Sequence, residues 1–488
     1  TPMKPNFIIF NPDQWRGDYV GCYGHPLVKT PNLDRLAAAG TRFDQCHVQH
    51  TVCSPSRCSF MTGWYPHVRG HRTLQHLLQP EEPNLLKCLR EHGYETALFG
   101  KNDLFAQEAF DDSLDFYDDV THWLPGVKNH FASPDDPGYY SFLFDAAPGS
   151  IEEHVDTLKV NAGLEFLRRP HDKPFCLFLP LILPHCPFTV PEPYYSMYDP
   201  DDVPPLRAPY PENKPALYHR IHEFYGLDKT EDWVLRKVNA VYMGMITMID
   251  ELLGRVLDCV DEQGLADSTT ILVHSDHGEW AGDWGLVEKY STALDDCLTR
   301  VPLVIRSPGG KAGHVVGEPV ELFDQMATIL DLAGIEPDWT HFARSLKPQL
   351  GGAPGDPGRA VFAEGGGGRH EPQALECWNR DDMPREEIYW GKITLQQREP
   401  DTNRRSVMIR TATHKLILRP ETEEHELYDL AADPKEEHNR FGDPALADIQ
   451  TRLKERLLDW FIQTSDVTPL KQDPRGLPDH SRYWRRLV

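Results

Sequence analysis

Residues 53–63 of this 488-residue chain read Cys-Ser-Pro-Ser-Arg-Cys-Ser-Phe-Met-Thr-Gly. Pro55 suits the first turn of a helix and Gly63 suits its end, so the stretch predicts a helix that begins at Cys53. The free NH groups and the positive end of the helix dipole favour an anion there, and Arg57 adds a permanent positive charge. Taken alone, so short a motif favours an ordinary proline-started surface helix with a buried thiol. The other motifs of the chain decide between this structural interpretation and an anion site.

The composition limits the classes of protein to be considered. Hydrophobic residues make up 40% and charged residues 26% of the chain, which is typical of a globular protein with one large and one smaller domain. We find no apolar run of about 18 residues, so we expect no membrane partner. The formal net charge of −25 disfavours nucleic acid as a partner and repels anionic substrates at long range. Any anion site therefore needs a local cluster of positive groups.

The cysteines argue against a disulfide-rich or zinc-ribbon protein. The chain has 10 of them, scattered and without a Cys-x-x-Cys pair, which favours a reducing compartment. The chain opens without a basic segment followed by an apolar one, so no signal peptide is visible and we predict a cytoplasmic location. A protein whose leader had been removed during processing would also show no signal peptide.

Polar side chains follow several short apolar runs that predict buried parallel strands. The runs cover residues 6–10, 94–99, 175–183 and 269–274. Each polar residue alone reads as an ordinary turn residue or structural histidine, but ligands bind at the carboxyl ends of strands in open α/β sheets. Carboxylate and amide oxygens with an imidazole suit a divalent cation such as Ca²⁺ or Mg²⁺. The side chains at these strand ends are Asp13, Gln14, Lys101, His185, Asp276 and His277.

The order of the predicted elements indicates the fold class. Strands alternate with helices, which favours an α/β fold with a three-layer α/β/α arrangement and a mostly parallel sheet. Glycine and proline crowd residues 351–368, where we place the boundary between a catalytic domain of residues 1–365 and a C-terminal α+β subdomain of residues 366–488. In the subdomain, residues 405–419 predict one antiparallel strand.

Three further segments carry expectations about surfaces. Residues 111–150 and 190–230 are rich in proline and aromatic residues, and we expect them, with the glycine-rich segment near Gly366, to form walls of the substrate pocket. The end of the chain contains Tyr483 and Trp484 and predicts a docking tail. A second subunit is one candidate partner for this tail, which would make the protein a homo-oligomer.

Together these motifs resemble the sulfatase branch of the alkaline phosphatase superfamily, and the resemblance covers nearly the whole chain. The family's C-terminal subdomain is matched by Leu427-Tyr-Asp-Leu430 with Asp433-Pro434 and Asn439. The catalytic part is matched by Thr30-Pro-Asn-Leu-Asp-Arg35, Cys53-x-Pro-Ser-Arg57 running to Thr62-Gly63, Gly93-Tyr-x-Thr-x-x-x-Gly-Lys101 and Ser275-Asp-His-Gly278. Several separate motifs in the right order make the resemblance specific, and it implies an alkaline-phosphatase-like fold.

The resemblance implies that a formylglycine-generating maturation system oxidises Cys53 to formylglycine. The hydrate of this aldehyde carries two hydroxyl groups on one carbon. One hydroxyl attacks the sulfur of a small anionic sulfate ester and displaces the alcohol. The other then loses its proton, sulfate leaves as the aldehyde re-forms, and water restores the hydrate.

The family's metal positions correspond to four polar residues at the predicted strand ends, and the hydrate made from Cys53 completes the ligand set. The four are Asp13, Gln14, Asp276 and His277. A metal in this position orients the hydrate, lowers its pKa and neutralises a sulfate oxygen. The ligand types leave Ca²⁺, Mg²⁺ and Mn²⁺ open, with Ca²⁺ as the first choice.

Four further residues match the family's anion site. Arg57 is expected to hold the hydrate in place, and Lys101 and Lys289 are expected to bind oxygens of the anion. His185 lies in a Pro-His-x-Pro motif and would protonate or hydrogen-bond the leaving oxygen.

The chain departs from the commonest sulfatase pattern in two places. Gln14 replaces an aspartate and His277 an asparagine, a combination that resembles the phosphonate monoester hydrolases and their close arylsulfatase relatives. Asp103 stands where a histidine is common, and we consider His71 or His76 as its substitute.

Three functions are therefore open. The first is a sulfuric ester hydrolase of the arylsulfatase type. The second is a phosphonate monoester or phosphodiester hydrolase that uses the same site, because Gln14 and His277 leave the metal centre with fewer anionic ligands and make it more positive. The third is a catalytically silent protein that binds anions in the same pocket.

Overall fold

The computed structural model describes residues 4–120, 126–209, 213–369, 371 and 383–467. The strands of this part are β1 Asn6–Pro12, β2 Thr41–Phe43, β3 Cys46–His47, β4 Glu95–Gly100, β5 Phe116–Asp119, β6 Phe175–Leu181, β7 Thr269–His274, β8 Arg300–Val301, β9 Leu303–Arg306, β10 His314–Val316, β11 Val320–Glu321, β12 Val361–Gly365, β13 Ser406–Arg410, β14 His414–Leu418 and β15 Glu426–Asp429.

The α-helices are α1 Pro31–Ala39, α2 Cys53–Thr62, α3 Pro66–Arg69, α4 Leu85–Glu91, α5 Phe110–Ser113, α6 Val155–Arg168, α7 Ala216–Phe224, α8 Asp232–Glu262, α9 Asp296–Thr299, α10 Asp324–Ala333, α11 Lys347–Leu350, α12 Trp390–Arg398 and α13 Ala447–Thr464. Short 3₁₀ helices lie at Gly21–Tyr23, Gln107–Ala109, Tyr139–Ser141, Ile151–Glu153, Pro200–Asp202, Leu227–Lys229, Ala266–Ser268, Asp283–Gly285, Pro400–Asn403 and Pro444–Leu446.

The central sheet has eight strands in the order β10-β2-β9-β7-β1-β6-β4-β5. Strand β1 pairs in parallel with β6 on one side and β7 on the other, and only β9 runs antiparallel to its neighbours among these described strands. The predicted mostly parallel α/β sheet is therefore confirmed. Because β1 and β7 are adjacent and parallel, the residues that follow them emerge side by side at the same edge.

Both faces of the central sheet are covered, which explains why β1 is apolar throughout. Ile8 and Phe10 point into one hydrophobic core, and Phe7 and Ile9 point into a second core on the opposite face. Helices α1, α6 and α8 pack together on the first side, while α2, α4 and α10 pack together on the second. This is the three-layer arrangement that the alternating pattern predicts.

The apolar run Val301-Pro-Leu-Val-Ile305 belongs to two strands in the structure. Arg300–Val301 pairs with β3 in a separate three-stranded sheet, and Leu303–Arg306 joins the central sheet. Pro302 stands between the two strands and has no NH to donate to a ladder, which gives the physical reason for the break.

A second, antiparallel sheet of four strands forms in the C-terminal part. The prediction of one strand over residues 405–419 was wrong, because the segment folds into a hairpin of β13 and β14. The turn is closed by Thr411, whose NH donates to the carbonyl of His414 at 2.8 Å. Val361–Gly365 precedes residue 366 and pairs with β13 in this sheet, and the domain boundary stays a prediction. Tyr483 and Trp484 lie outside the described residues.

Helix α8 is the longest helix of the described chain, with 31 residues. Neither it nor any other described helix has the long apolar stretch that crossing a bilayer requires.

Candidate active site

Helix α2 begins at Cys53 and carries the stretch from which the site can be built. Val52 precedes the helix in an extended conformation, and Gly63 ends it with a φ of 72°, which favours glycine. Every residue of α2 is buried, so the surface helix that the motif favours when taken alone is not what forms. The thiol of Cys53 lies at the positive end of the helix, inside the protein.

Three side chains meet the thiol of Cys53 at the edge of the central sheet. Asp13 follows β1, and Asp276 and His277 follow β7. Together with Cys53 they offer four ligand atoms that all lie within 4.8 Å of one another. The sulfur lies 3.2 Å from Nε2 of His277 and 3.6 Å from Oδ1 of Asp13. The adjacency of β1 and β7 therefore assembles the predicted cluster.

The guanidinium of Arg57 joins the two carboxylates of this cluster. Its Nε donates to Oδ2 of Asp276 and its Nη2 donates to Oδ2 of Asp13, both at 2.8 Å. Its Nη1 donates to the backbone carbonyl of Lys101 at 2.6 Å. All three side chains of the ion pairs are fully buried, so the arrangement fixes α2 to the ends of β1 and β7.

Lys101 approaches the thiol from the end of β4. Its ammonium donates to Oδ2 of Asp13 at 2.7 Å and lies 3.7 Å from the sulfur of Cys53. It also pairs with Asp103 at 3.0 Å, so the aspartate that departs from the family pattern is a partner of this lysine. The predicted basic residue is therefore in place to contact an anion held at Cys53.

Lys289 supplies a second ammonium on another side of the site. It donates to Oε1 of Gln14 at 2.8 Å and to Nε2 of His185 at 2.7 Å. Nδ1 of His185 lies 2.5 Å from the carbonyl of Cys186, and it is the donor there because Nε2 accepts from the ammonium. The structure thus brings every site residue predicted from the sequence into one connected group.

Burial and charge compete in setting the pKa values of the group. Burial opposes ionisation of Asp13, but the charges of Lys101 and Arg57 outweigh it and hold the pKa of this carboxyl well below its usual range. Burial, and then the charge of Lys289, lowers the pKa of His185 well below its usual value. Burial, followed by the charge of Asp13, raises the pKa of the Cys53 thiol.

A protein-family model described as "Sulfatase" matches residues 5–335, and a second, described as "N-sulphoglucosamine sulphohydrolase, C-terminal", matches residues 377–463. The chain belongs to the sulfatase family.

Curated relatives of this sulfatase cover much or nearly all of its length. It is 31% identical over 540 residues to the "Multifunctional alkaline phosphatase superfamily protein PehA" of Trinickia caryophylli, with 97% of this chain and 99% of the relative covered. It is also 31% identical to an "Arylsulfatase" of Clostridium perfringens, with 68% of this chain and 76% of that relative covered.

Solved structures of phosphonate monoester hydrolases have the same fold. The enzyme of Agrobacterium radiobacter is 25% identical and superposes with a TM-score of 0.75, covering 96% of this chain and 97% of its own. The enzyme SpPMH of Silicibacter pomeroyi is 26% identical, with a TM-score of 0.76 and coverage of 95% and 96%. The expected alkaline-phosphatase-like sulfatase fold is therefore confirmed.

The sulfatase family implies a divalent metal and a formylglycine, and the side chains present fit a metal ion. The Oδ2 atoms of Asp13 and Asp276 bind Arg57, while their Oδ1 atoms lie 3.5 and 3.9 Å from Nε2 of His277. Nδ1 of His277 lies 2.9 Å from the carbonyl of Gly278, so it carries the proton and leaves the Nε2 lone pair facing the carboxylates. This is the tautomer that a metal-binding histidine requires.

Three charged residues of the site were not predicted from the sequence. Glu279 accepts from Nε2 of Gln14, and burial raises its pKa to about 8. Glu288 contacts Lys289 at 2.8 Å and Lys392, which comes from α12, at 3.0 Å. The two glutamates stand next to predicted site motifs, which is the signal that could have found them, whereas no motif surrounds Lys392.

His71 does not take the place of the missing histidine beside Lys101. Its Nε2 lies 3.2 Å from Glu82, and its Nδ1 lies 2.6 Å from the carbonyl of His76. Both ring nitrogens therefore have partners outside the group around Cys53.

A cleft of about 230 Å³ opens in front of Cys53. Residues 111–150 and 190–230 and the glycine-rich segment near Gly366, expected as its walls, contribute none of the described residues that line it. One wall comes instead from residues 383–393, whose position along the chain the sequence did not mark.

We predict that Arg57→Ala lowers the free energy of unfolding of the metal-free protein by about 3–5 kcal/mol, because it leaves two buried carboxylates without their shared partner. Arg35→Ala is the matched control, since Arg35 pairs with Asp258 at 2.6 Å on the surface. It should cost no more than about 1 kcal/mol. Denaturant unfolding measures both, and equal losses would contradict the structural role of Arg57.

Proposed function

We propose that this protein hydrolyses sulfuric acid esters, with position 53 as the nucleophile. One observation carries the proposal. The side chain of Cys53 stands at the N-terminus of a buried helix, within reach of two carboxylates, an imidazole and the ammonium of Lys101. Such a group can hold a tetrahedral anion and a cation together in a chain whose net charge of −25 otherwise repels anions.

In this proposal a maturation system converts Cys53 to formylglycine, whose hydrate provides the attacking hydroxyl. The hydroxyl oxygen forms a bond to sulfur as the bond from sulfur to the ester oxygen breaks. The second hydroxyl then gives up its proton, the bond from carbon to the sulfate oxygen breaks, and the aldehyde returns. Arg57 holds the carboxylates around the hydrate, and Lys101 binds sulfate oxygens.

Asp13, Gln14, Asp276 and His277 would hold the metal ion, together with the hydrate. The bound ion would supply positive charge that stabilises a sulfate oxygen and lowers the pKa of the hydrate. Ca²⁺, Mg²⁺ and Mn²⁺ all accept oxygen-rich ligand sets, and we propose Ca²⁺ as the native ion.

The pair formed by Lys289 and His185 is placed to supply a proton to the leaving oxygen. In the proposal the ammonium of Lys289 carries this proton, and His185 orients the ammonium because its Nε2 accepts from it. Both side chains line the cleft in front of Cys53. An alkoxide with a high pKa needs this proton in the transition state, whereas an activated phenoxide leaves without it.

Hydrolysis of phosphonate monoesters or phosphodiesters is the second candidate function. Gln14 and His277 replace anionic or neutral oxygen ligands of the commonest pattern, and the solved relatives include two phosphonate monoester hydrolases. A more positive centre tolerates a more highly charged phosphoryl transition state. Comparing kcat/KM for nitrophenyl sulfate with that for a phenyl phosphonate ester separates the two, and a clear preference for the phosphonate would overturn the first.

A catalytically silent anion-binding protein is the third hypothesis and requires an unmodified Cys53 thiol without turnover. The assembly of carboxylates, imidazole and lysines around this residue supports the enzyme instead. Docking of a second subunit through the tail of the chain stays a prediction, as does the cytoplasmic location.

Cys53→Ala should abolish hydrolysis of nitrophenyl sulfate, because the variant has no side chain that can become the hydrate. Cys176→Ala is the matched control, since Cys176 is equally buried but lies within β6. Kinetic assays with thermal unfolding of each variant would show whether the fold survives. Near-native turnover by folded Cys53→Ala protein would exclude the covalent mechanism.

His185→Ala should slow sulfate esters with poor leaving groups more than those with good ones, because only the poor leaving groups need a proton. The measurement is kcat/KM across a series of substituted phenyl sulfates of increasing phenol pKa. A steeper dependence on leaving-group pKa than in the unmutated protein is expected. Equal losses across the series would argue against proton delivery by the pair of Lys289 and His185.

A further inference from the structure

Two kinds of side chain line the cleft in front of Cys53. Cys53, Lys101 and Lys289 surround the anion position. Apolar and aromatic side chains, among them Leu74, Tyr389 and Ile393, form another part of the lining. An ester whose anionic group lies at Cys53 therefore finds an apolar wall for its organic group in the same cleft.

The size of the cleft limits this organic group. The whole cleft measures about 230 Å³, and it has to hold the anionic group as well. A cavity of about 150 Å³ lined by apolar side chains is enough to bind benzene. The remaining space between the walls therefore suits one ring, and the further units of an oligosaccharide would have to extend out of the cleft, away from its apolar lining.

Most of the charged side chains in the cleft already contact one another. Lys101 pairs with Asp103 at 3.0 Å, and Glu288 contacts both Lys289 and Lys392. A sugar would have to compete with these ion pairs to form hydrogen bonds with its hydroxyl groups. A buried hydroxyl without a hydrogen-bond partner loses binding free energy. An apolar ring makes no such demand.

Tyr389 is held in the wall by the segment that we expected to form the pocket itself. The ring of Phe142 packs edge-on against Tyr389, with 5.1 Å between the ring centroids. The hydroxyls of Tyr139 and Tyr140 donate to the backbone carbonyls of Glu386 and Arg385 at 2.9 and 2.8 Å. The segment therefore acts from behind the wall, without lining the cleft.

We propose that the apolar part of the cleft is a binding site for a single apolar ring, and that Tyr389 and Ile393 determine specificity for monoaryl esters. The proposal rests on the function proposed above, since the anionic group of the ester fixes which end of the substrate faces the wall. Tyr139 and Tyr140 are positioning residues, because they act only through the segment that carries Tyr389.

The test uses the metal-loaded Cys53→Ala variant, which binds esters without converting them. Calorimetric titration with phenyl sulfate and with methyl sulfate gives the ratio of the two Kd values, and that ratio isolates the contribution of the ring. We expect phenyl sulfate to bind about tenfold more tightly, and we expect Tyr389→Ala in the same background to remove most of this preference. Ile393→Ala should reduce it as well.

Tyr117→Ala is the matched control, because Tyr117 lies 45% exposed on β5, outside the cleft. It should leave the phenyl preference unchanged. Tyr140→Phe removes one buttressing hydrogen bond and should weaken the preference for phenyl over methyl without weakening methyl sulfate binding, a split that general destabilisation would not produce.

Two results would overturn the proposal. One is a phenyl preference that survives Tyr389→Ala and Ile393→Ala together. The other is tighter binding of a glucosamine 6-sulfate than of phenyl sulfate. Both concern binding, so they are distinct from failure of the proposed function, which would appear as absence of turnover by the mature protein.

Discussion

The contact on which the site depends is the guanidinium of Arg57 lying between the carboxylates of Asp13 and Asp276. Two acidic groups and one basic group are removed from water together, and breaking such a group by removing one member is costly. The contact ties three separate pieces of chain together: the end of β1, the end of β7 and the first turn of α2. The position of Cys53 follows from it, because Cys53 and Arg57 lie one turn apart on α2.

The same contact divides the oxygens of each carboxylate between two tasks. The Oδ2 atoms bind Arg57, and the Oδ1 atoms stay on the side of Cys53 and His277. Outside this cluster Lys101 and Lys289 stand on different sides, each paired with an acidic neighbour. Cationic side chains are thus gathered within a few ångströms of Cys53, although acidic partners balance their charge and the whole chain is strongly acidic. The lysine donors, together with the cation that the carboxylates would hold, let an anion bind where long-range electrostatics oppose it.

The parts of the site that the sequence predicts are those fixed by local pattern. Apolar runs mark β1 and β7, and parallel neighbours bring Asp13 and His277 to one sheet edge whatever the loops do. The mostly parallel sheet follows from the same pattern. Lys392 was not predictable in this way, because it lies 103 positions beyond Lys289 in a helix with no motif and meets Glu288 only through tertiary packing.

The wall of the cleft is a second feature that depends on tertiary packing and could not be predicted from local sequence. Residues 111–150 looked like a pocket wall because they are aromatic and irregular, but their Tyr140 and Phe142 support residues 385–390 from behind. The run at residues 405–419 alternates along its length, yet it forms two strands because a turn at Thr411 reverses the chain. In both cases the sequence pattern indicates that the segment is packed against other parts of the protein. Its position depends on tertiary contacts and turns that the pattern does not reveal.

The proposed nucleophile depends on Cys53 being converted to formylglycine in the position where Arg57 holds it. Mass spectrometry of the peptide that contains Cys53, from protein expressed with a formylglycine-generating system, tests this conversion directly. We predict the mass of the aldehyde at position 53, in a fraction that rises in proportion to sulfate ester turnover between preparations. An unmodified thiol in protein that nevertheless turns over sulfate esters would contradict it.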